Sequence, residues 1–73
     1  MPPQLWVARV YTLQVFYKGD ARAQEVLQVA RAADVLNSIP ELLQKHSGCE
    51  RISVLLGASQ LFAVDCRGER IVD

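Results

Sequence analysis

Residues 5–17, with the sequence LWVARVYTLQVFY, are the stretch that decides the fold of this chain. β-branched and aromatic residues dominate it, and such residues favour strands. A turn signal, Lys18-Gly19-Asp20, follows directly, so we predict a first strand over Leu5–Tyr17. These thirteen residues at about 3.3 Å each would extend roughly 43 Å, whereas a compact domain of this length is roughly 30 Å across. The strand therefore has to bend, carry a bulge or run past its neighbours.

The segment after this turn predicts a first helix. Asp20 is a favourable N-cap residue, and Ala21–Leu36 consists largely of helix-forming residues. Its apolar positions recur one turn apart, which indicates a helix with one apolar face. Because many of these apolar residues are alanines, we expect the helix to lie close to the sheet that it covers.

A second, shorter helix is predicted directly after the first. Ser38 and Glu41 have the spacing of a capping box, and Pro40 between them is tolerated in the first turn of a helix. We therefore expect a break in the chain and a new helix over Ile39–His46, with Gly48 as a left-handed stop.

The C-terminal part of the chain predicts three short strands. The strands are Arg51–Leu56, Leu61–Asp65 and Glu69–Val72, separated by turns at Gly57–Gln60 and Cys66–Gly68. For the last pair we expect the register that sets Asp65 opposite Arg70, because opposite charges across two strands attract. The register shifted by one residue sets Asp65 opposite Glu69, and those two carboxylates repel.

The predicted element order is β-α-α-β-β-β, in a single domain over residues 1–73. It indicates an α+β fold, with a mainly antiparallel four-stranded sheet and two helices packed on one face. The direction in which the first strand pairs stays open. Helices that act as one bent unit would return the next strand parallel to it, and a helical hairpin would return it antiparallel.

Composition excludes several classes of protein. Eight basic and eight acidic residues give a net charge of zero, which argues against a basic nucleic-acid footprint or a polybasic membrane anchor. At 51% apolar residues the chain is too apolar for disorder, yet no run approaches the about 18 apolar residues of a membrane helix. The start Met1-Pro2-Pro3 has no features of a leader peptide. We therefore expect a soluble, cytoplasmic domain that needs no cofactor.

The distribution of charge favours a partner. No charged residue lies in Val10–Tyr17 or Ile52–Val64, and a domain this small buries only about 60% of the surface of its unfolded chain. Two interpretations of the first strand stay open: a central strand with a partly apolar outer face, or a strand or face that meets a second copy of the chain. We favour the second, a homodimer whose interface comprises Trp6, Val10, Thr12, Gln14 and Phe16.

His46 and Cys49 are the candidate reactive residues. Their spacing is that of half a zinc site, but no second pair of ligands follows, so we predict no metal. They could also be the base and nucleophile of a small enzyme, although nothing in the sequence marks an orienting group. The simpler interpretation is a helix-capping histidine and a small buried cysteine. We expect Cys49 and Cys66 to be reduced, because the predicted pairing puts them about 7 Å apart, near or beyond the limit for a disulfide.

Arginine is the one unusual feature of the composition. Arg51, Arg67 and Arg70 lie in the C-terminal strands, and arginine favours bidentate contacts with carboxylate or phosphate. Acidic residues are interleaved with them, which favours ion pairs at the surface. An anion- or nucleic-acid-binding patch is the alternative.

These features predict a non-enzymatic, self-associating binding module. Besides a second copy of the chain, its partner would be another protein, or a small molecule held between the helices and the sheet or at the subunit boundary. The first alternative is a nucleic-acid- or anion-binding protein that uses the three arginines. The weaker alternative is a small cysteine-dependent enzyme.

Overall fold

The computed structural model describes residues 10–71, which contain four strands and one helix. The elements in chain order are β1 (Tyr11–Phe16), β2 (Glu25–Val29), α1 (Ala32–Lys45), β3 (Arg51–Leu56) and β4 (Ser59–Asp65). The strands form one sheet in the order β2-β1-β3-β4, and every neighbouring pair is antiparallel. The α+β class and the four-stranded antiparallel sheet are confirmed, whereas the prediction of two helices is wrong. No helix of the described residues has the length and apolar character needed to cross a membrane.

β1 occupies an inner position in the sheet. Leu13 at its centre pairs with Leu27 of β2 on one side and with Val54 of β3 on the other. Since β2 and β3 both run antiparallel to β1, α1 crosses one face of the sheet to join two strands that are parallel to each other. The strand after the helix therefore returns antiparallel to β1. Of the predicted strand Leu5–Tyr17, residues 5–9 lie outside the described residues.

The predicted first helix, Ala21–Leu36, is wrong over most of its length. Residues 25–29 form β2 instead and pair with β1 throughout. Leu27 and Val29 pack toward the core and alternate with the exposed Val26 and Gln28, as in a strand with one covered face. Five residues are too few to distinguish this period from a helical one. Pairing with β1 then outweighs the helical propensity of the segment.

The predicted break between two helices is also wrong. α1 runs without interruption from Ala32 to Lys45, with Ser38 and Pro40 inside it. Its buried residues recur at the spacing of one helix face and are Val35, Ser38, Ile39 and Leu42. Because the buried face continues through Ser38, the helix continues as well. The capping-box pattern of Ser38 and Glu41 therefore does not mark the start of a helix.

The end of α1 differs from the prediction as well. His46 is the C-cap residue, and its N–H donates to the carbonyl of Leu42 at 2.7 Å. Gly48 has no positive φ and is not a left-handed stop. Instead it lies against Tyr17, where a Cβ would meet the ring at 3.8 Å. Because 3.8 Å is an ordinary van der Waals distance, the approach of the loop to Tyr17 does not itself require a glycine.

The hairpin of β3 and β4 is tighter than predicted. β3 has the predicted bounds, but β4 begins at Ser59 because the turn comprises only Gly57 and Ala58. Gly57 has a φ of +62°, which glycine adopts without strain. An irregularity between Val54 and Leu55 shifts the register of the two strands by one residue.

The predicted last strand, Glu69–Val72, is reduced within the described residues to a single bridge between Arg70 and β4. The expected register is wrong, because the N–H of Asp65 donates to the carbonyl of Glu69 at 2.8 Å. Arg67 offsets the repulsion between the two carboxylates, since its guanidinium lies 3.7 Å from Asp65 and 3.4 Å from Glu69. Asp65 also accepts the backbone N–H groups of residues 67 and 69.

The hydrophobic core lies between α1 and the sheet. Its most deeply buried side chains come from the two inner strands and are Leu13, Val15, Ile52 and Val54. Val35, Ile39 and Leu42 of α1 cover them, with Cys49 and Val64 at the margin. α1 therefore covers one face of the sheet, and no helix within residues 10–71 covers the other face.

Candidate functional site

The sheet face opposite α1, here called the outer face, carries no helix within residues 10–71. Its side chains alternate along each strand with those that enter the core. The strand register arranges them in three rows across the sheet: Val26, Gln14, Ser53 and Ala63; Gln28, Thr12, Leu55 and Gln60; and Phe16, Arg51 and Asp65.

Two of these three rows contain no charged residue. The outer face of a sheet with one covered side is normally polar, yet its charges are confined here to Arg51 and Asp65 at one end. Ser53 and Ala63 in the central row are small residues and are only 2% and 7% exposed, so these two positions carry no bulky side chain. Val26 at the side of the same row is 53% exposed. A sheet face with so few charges is suited to contact with another surface.

Most residues of the predicted interface lie on or beside this face. Thr12, Gln14 and Phe16 belong to its rows. Val10 precedes β1 and is half-buried, and its carbonyl accepts the N–H of Gly57 at 3.3 Å. Trp6 lies outside the described residues. Because the backbone of β1 is paired on both sides, β1 can offer a partner its outer face but no open strand edge.

The three arginines lie in two different environments. Arg67 is neutralised by the two carboxylates that it bridges. Arg51 lies over the Phe16 ring, 4.3 Å from its centre, and Arg70 lies 5.4 Å from the centre of the Phe62 ring. Arg51 and Arg70 line one groove of about 590 Å³ along β4. Phe16 lies on the outer face, whereas Phe62 pairs with the core residue Val54. The guanidinium groups of Arg51 and Arg70 therefore lie against rings on opposite faces of the sheet, and the structure does not bring the three predicted anion contacts together.

A hydrogen-bonded cluster joins the end of β1, the start of β2 and the end of α1. The Tyr17 hydroxyl lies 2.9 Å from Nδ1 of His46, and Nε2 of the same ring lies 2.6 Å from Oε1 of Glu25. The ammonium of Lys45 is 3.0 Å from this carboxylate. The hydrogen bonds from His46 and then Lys45 hold the pKa of Glu25 below its ordinary 4.5. Since an ionised carboxylate only accepts, a neutral His46 carries its hydrogen on Nε2 and accepts from the tyrosine through Nδ1.

Sequence reasoning placed His46 at the helix end but missed its two partners. Tyr17 and Glu25 flank the β1–β2 connection, and they come together only if β2 is a strand. A cavity of about 310 Å³ beside the cluster is lined by Tyr17, Asp20, Gln24 and His46. Because both ring nitrogens are engaged and the side chain is only 14% exposed, the cluster positions the end of α1 and offers no free base.

The two cysteines are free thiols in different surroundings. Cys49 is buried in the core, whereas Cys66 is exposed. Burial raises the pKa of the Cys49 thiol, which lowers its thiolate fraction at neutral pH. His46 contacts Cys49 through the backbone, where the Cys49 N–H donates to its carbonyl at 3.0 Å. Within residues 10–71 no three side chains of the ligating types cluster to hold a metal ion.

Comparisons with known proteins add no assignment. No protein-family model matches the chain, and no match is found among curated proteins or solved structures. The function therefore has to be inferred from the outer face, the arginine groove and the histidine cluster.

Proposed function

We propose that this chain is a self-associating binding module that acts as a homodimer, with the outer face of one sheet stacked on that of a second copy. The observation that carries the proposal is the pair of uncharged rows across all four strands. An outer face that only meets water gains solubility from charged residues, and this one has them at one end only. A second copy presents the same uncharged surface, so contact between the copies buries no charge in those rows.

The shape of the outer face supports a symmetric contact. Sheets that stack face to face lie about 10 Å apart, and small side chains at the centre permit that approach. Ser53 and Ala63 provide such a centre, next to Gln14 of β1. In a two-fold dimer the same patch is used on both copies. A two-fold axis near Gln14 would bring the two uncharged patches together.

The size of the core supports the same proposal. The described core has only one layer of side chains, between a single helix and one face of the sheet. Domains of this size are marginally stable, and association that involves only the folded state adds stability by mass action. Burial of exposed apolar residues such as Val26 in the dimer would supply part of what the small core lacks.

The proposed role is binding rather than catalysis, and the proposed location is the cytoplasm. Cys49 and Cys66 are both free thiols, which is the state that a reducing compartment maintains. His46 is held by Tyr17 and Glu25, so the cysteine-dependent alternative gains no support.

The dimer can be tested by light scattering coupled to gel filtration over a range of protein concentrations. We expect a dimer at roughly tens of micromolar, the range in which small interfaces associate. Gln14→Glu places a nearly isosteric charge at the centre of the outer face and should raise the dimer dissociation constant about tenfold or more, because like charges then meet at the interface. Gln44→Glu, at an exposed position of α1, is the matched control and should leave the constant unchanged.

A well-folded wild-type chain that stays monomeric at these concentrations contradicts the proposal. Equal effects of Gln14→Glu and Gln44→Glu would also contradict it, because the dimer would then use another surface. Circular dichroism of the three proteins separates loss of association from loss of fold.

A further inference from the structure

A second groove, here called the helix-side groove, lies between α1 and β4 on the helix-covered face of the sheet. The backbone of α1 lies closest to β1 and β2, which leaves a gap between its first turns and β4. The gap has a volume of about 260 Å³. Val54 and Phe62 form its floor, and its walls are Val35 and Leu36 of α1 and Leu61 of β4. The groove thus extends the core toward solvent at this edge of the sheet.

The walls of the helix-side groove are apolar and exposed. Leu36 is 67% exposed and Leu61 is 45% exposed, and both belong to the large apolar residues that stay exposed in the described part of the chain. Apart from the Tyr11 hydroxyl, every side chain that lines the groove is apolar. Polar groups placed there would lose their hydrogen bonds to water and find at most one partner. This chemistry disfavours a peptide, whose backbone is polar, and favours an aliphatic chain.

The turn after β4 closes one end of the helix-side groove. Gly68 lies so near α1 that a Cβ would come within 3.2 Å of the Leu43 side chain, so the turn meets the last part of the helix. At the other end lie Tyr11 and Ala32, the latter exposed. Among residues 10–71 the groove therefore has one closed end and one exposed end, which gives a bound ligand a direction.

Arg70 places a positive charge beside the closed end of the groove. It forms a bridge with Val64, and residues opposite each other in an antiparallel pair project to the same face. Its side chain therefore lies on the helix-covered face, with its guanidinium 5.4 Å from the centre of the Phe62 ring in the groove floor. Arg70 takes part in none of the ion pairs within residues 10–71. Its N–H groups can thus receive the anionic end of a ligand.

We infer that the helix-side groove binds a free medium-chain fatty acid, with its carboxylate at Arg70 and its alkyl chain along Leu36 and Leu61. The charge of the carboxylate complements that of the guanidinium, and the alkyl chain covers walls that are otherwise exposed. The volume of about 260 Å³ lies just below the range of sites for drug-sized molecules, about 300–1,000 Å³, which favours a short chain. The groove and the outer face lie on opposite sides of the sheet, so the inference does not depend on the proposed homodimer.

The test is a titration of the isotope-labelled full chain with octanoate, below the concentration at which octanoate forms micelles, followed by NMR. We expect shifts in the methyl signals of Leu36 and Leu61 and in the Arg70 Nε–H signal. Each methylene added from hexanoate to octanoate should tighten binding about fourfold, the usual gain from burial of one methylene group. Octanol, which has the same chain but no charge, should bind more weakly than octanoate.

Two variants separate the charged part of the site from the apolar part. Arg70→Gln should weaken octanoate binding about tenfold, since it removes a charge-assisted hydrogen bond, and should leave the affinity for octanol unchanged. Arg22→Gln, at an exposed residue of the β1–β2 connection, is its matched control and should change neither affinity. Leu36→Ala shortens a wall of the groove and should weaken both ligands about threefold or more. Val26→Ala, at an exposed apolar residue of the outer face, is the control for that change.

The inference is overturned if octanoate shifts none of these signals, or if Arg70→Gln binds octanoate as well as Arg22→Gln does. A nuclear Overhauser contact in the free chain between Leu36 and any of residues 1–9 would show that the chain itself fills the groove. A shift of the Leu36 methyl signals with protein concentration alone would show that a second copy does. Either result overturns the inference as well. Unchanged backbone spectra of the variants will show that each retains the fold.

Discussion

The carboxylate of Glu25 lies 2.6 Å from Nε2 of His46, which follows 21 residues later in the chain. Glu25 is the first residue of β2, and His46 caps the end of α1. Tyr17, directly after β1, completes the contact from the other side of the imidazole ring. One histidine therefore joins two strands and the helix at one end of the domain, where the helix has to turn back toward β3.

Glu25→Gln should reduce the loss of stability at acid pH. The folded-state pKa of Glu25 lies below its ordinary 4.5, so the unfolded chain takes up the proton first as the pH falls. The contribution of this carboxylate to the free energy of unfolding is therefore complete above its pKa in the unfolded chain. It disappears as the pH falls through its pKa in the folded chain. Urea unfolding from roughly pH 6 to pH 3 should show a shallower decline for the variant than for the wild-type chain.

The matched control for this prediction is Glu41→Gln, which changes an exposed carboxylate of α1. Its acid decline should follow that of the wild-type chain. Asp65 has a lowered pKa as well, so Glu25→Gln should reduce the decline without removing it. A decline as steep in Glu25→Gln as in the wild-type chain would show that the Glu25–His46 contact does not hold in solution.

Tyr17→Phe should lower the free energy of unfolding by about 0.5–1.5 kcal/mol, the usual net value of one hydrogen bond. The change removes the hydroxyl that lies 2.9 Å from Nδ1 of His46 and keeps the ring that packs against Gly48. Tyr11→Phe is the control, because the Tyr11 hydroxyl makes no hydrogen bond within residues 10–71. Equal changes in the two variants, measured by urea unfolding, would contradict a specific role for the Tyr17 hydroxyl.

Asp65→Ala should release the C-terminal segment from β4. The carboxylate accepts two backbone N–H groups in the turn, and the turn sets up the bond from the Ile71 N–H to the carbonyl of Ala63 at 2.8 Å. Hydrogen exchange at the Ile71 amide should become about tenfold faster. Glu69→Ala removes only the contact with Arg67 and should have a smaller effect. The reverse order of the two effects would show that the ion pairs, and not the backbone contacts of Asp65, hold the segment.

The inner strands could be predicted from the sequence, because β1 and β3 lie in stretches where β-branched and apolar residues dominate. β2 could not be predicted in the same way. Residues 25–29 have the composition of a helix, and their conformation is decided by hydrogen bonds to β1, which a local pattern does not contain. The register of the last bridge was wrong for a similar reason. The predicted register considered only the charge of the residue directly opposite Asp65, which is Arg70 in one register and Glu69 in the other. It omitted Arg67, which lies beside both carboxylates once the turn has formed.

The candidate sites were predictable to different degrees. Alternation along β1 correctly put Thr12, Gln14 and Phe16 on one face, because the side-chain period of a strand is fixed. The cluster around His46 depends on β2, so it was missed together with that strand. The sequence did not predict that Arg51 and Arg70 both line one groove. That prediction requires the position of the chain after β4, which depends on the turn at Asp65.

Pro40→Ala should raise the free energy of unfolding, and it tests the continuous helix directly. Pro40 lies inside α1 and is exposed, so the carbonyl of Leu36 one turn earlier receives no hydrogen bond from it. Alanine restores this donor and removes the clash of the ring, and we expect a gain of about 2 kcal/mol in urea unfolding. Asn37→Ala, at an exposed position of the same helix, should add only about 0.5 kcal/mol from propensity. If Pro40→Ala adds nothing while Asn37→Ala does, Pro40 occupies the first turn of a separate helix, and the break after Leu36 exists in solution.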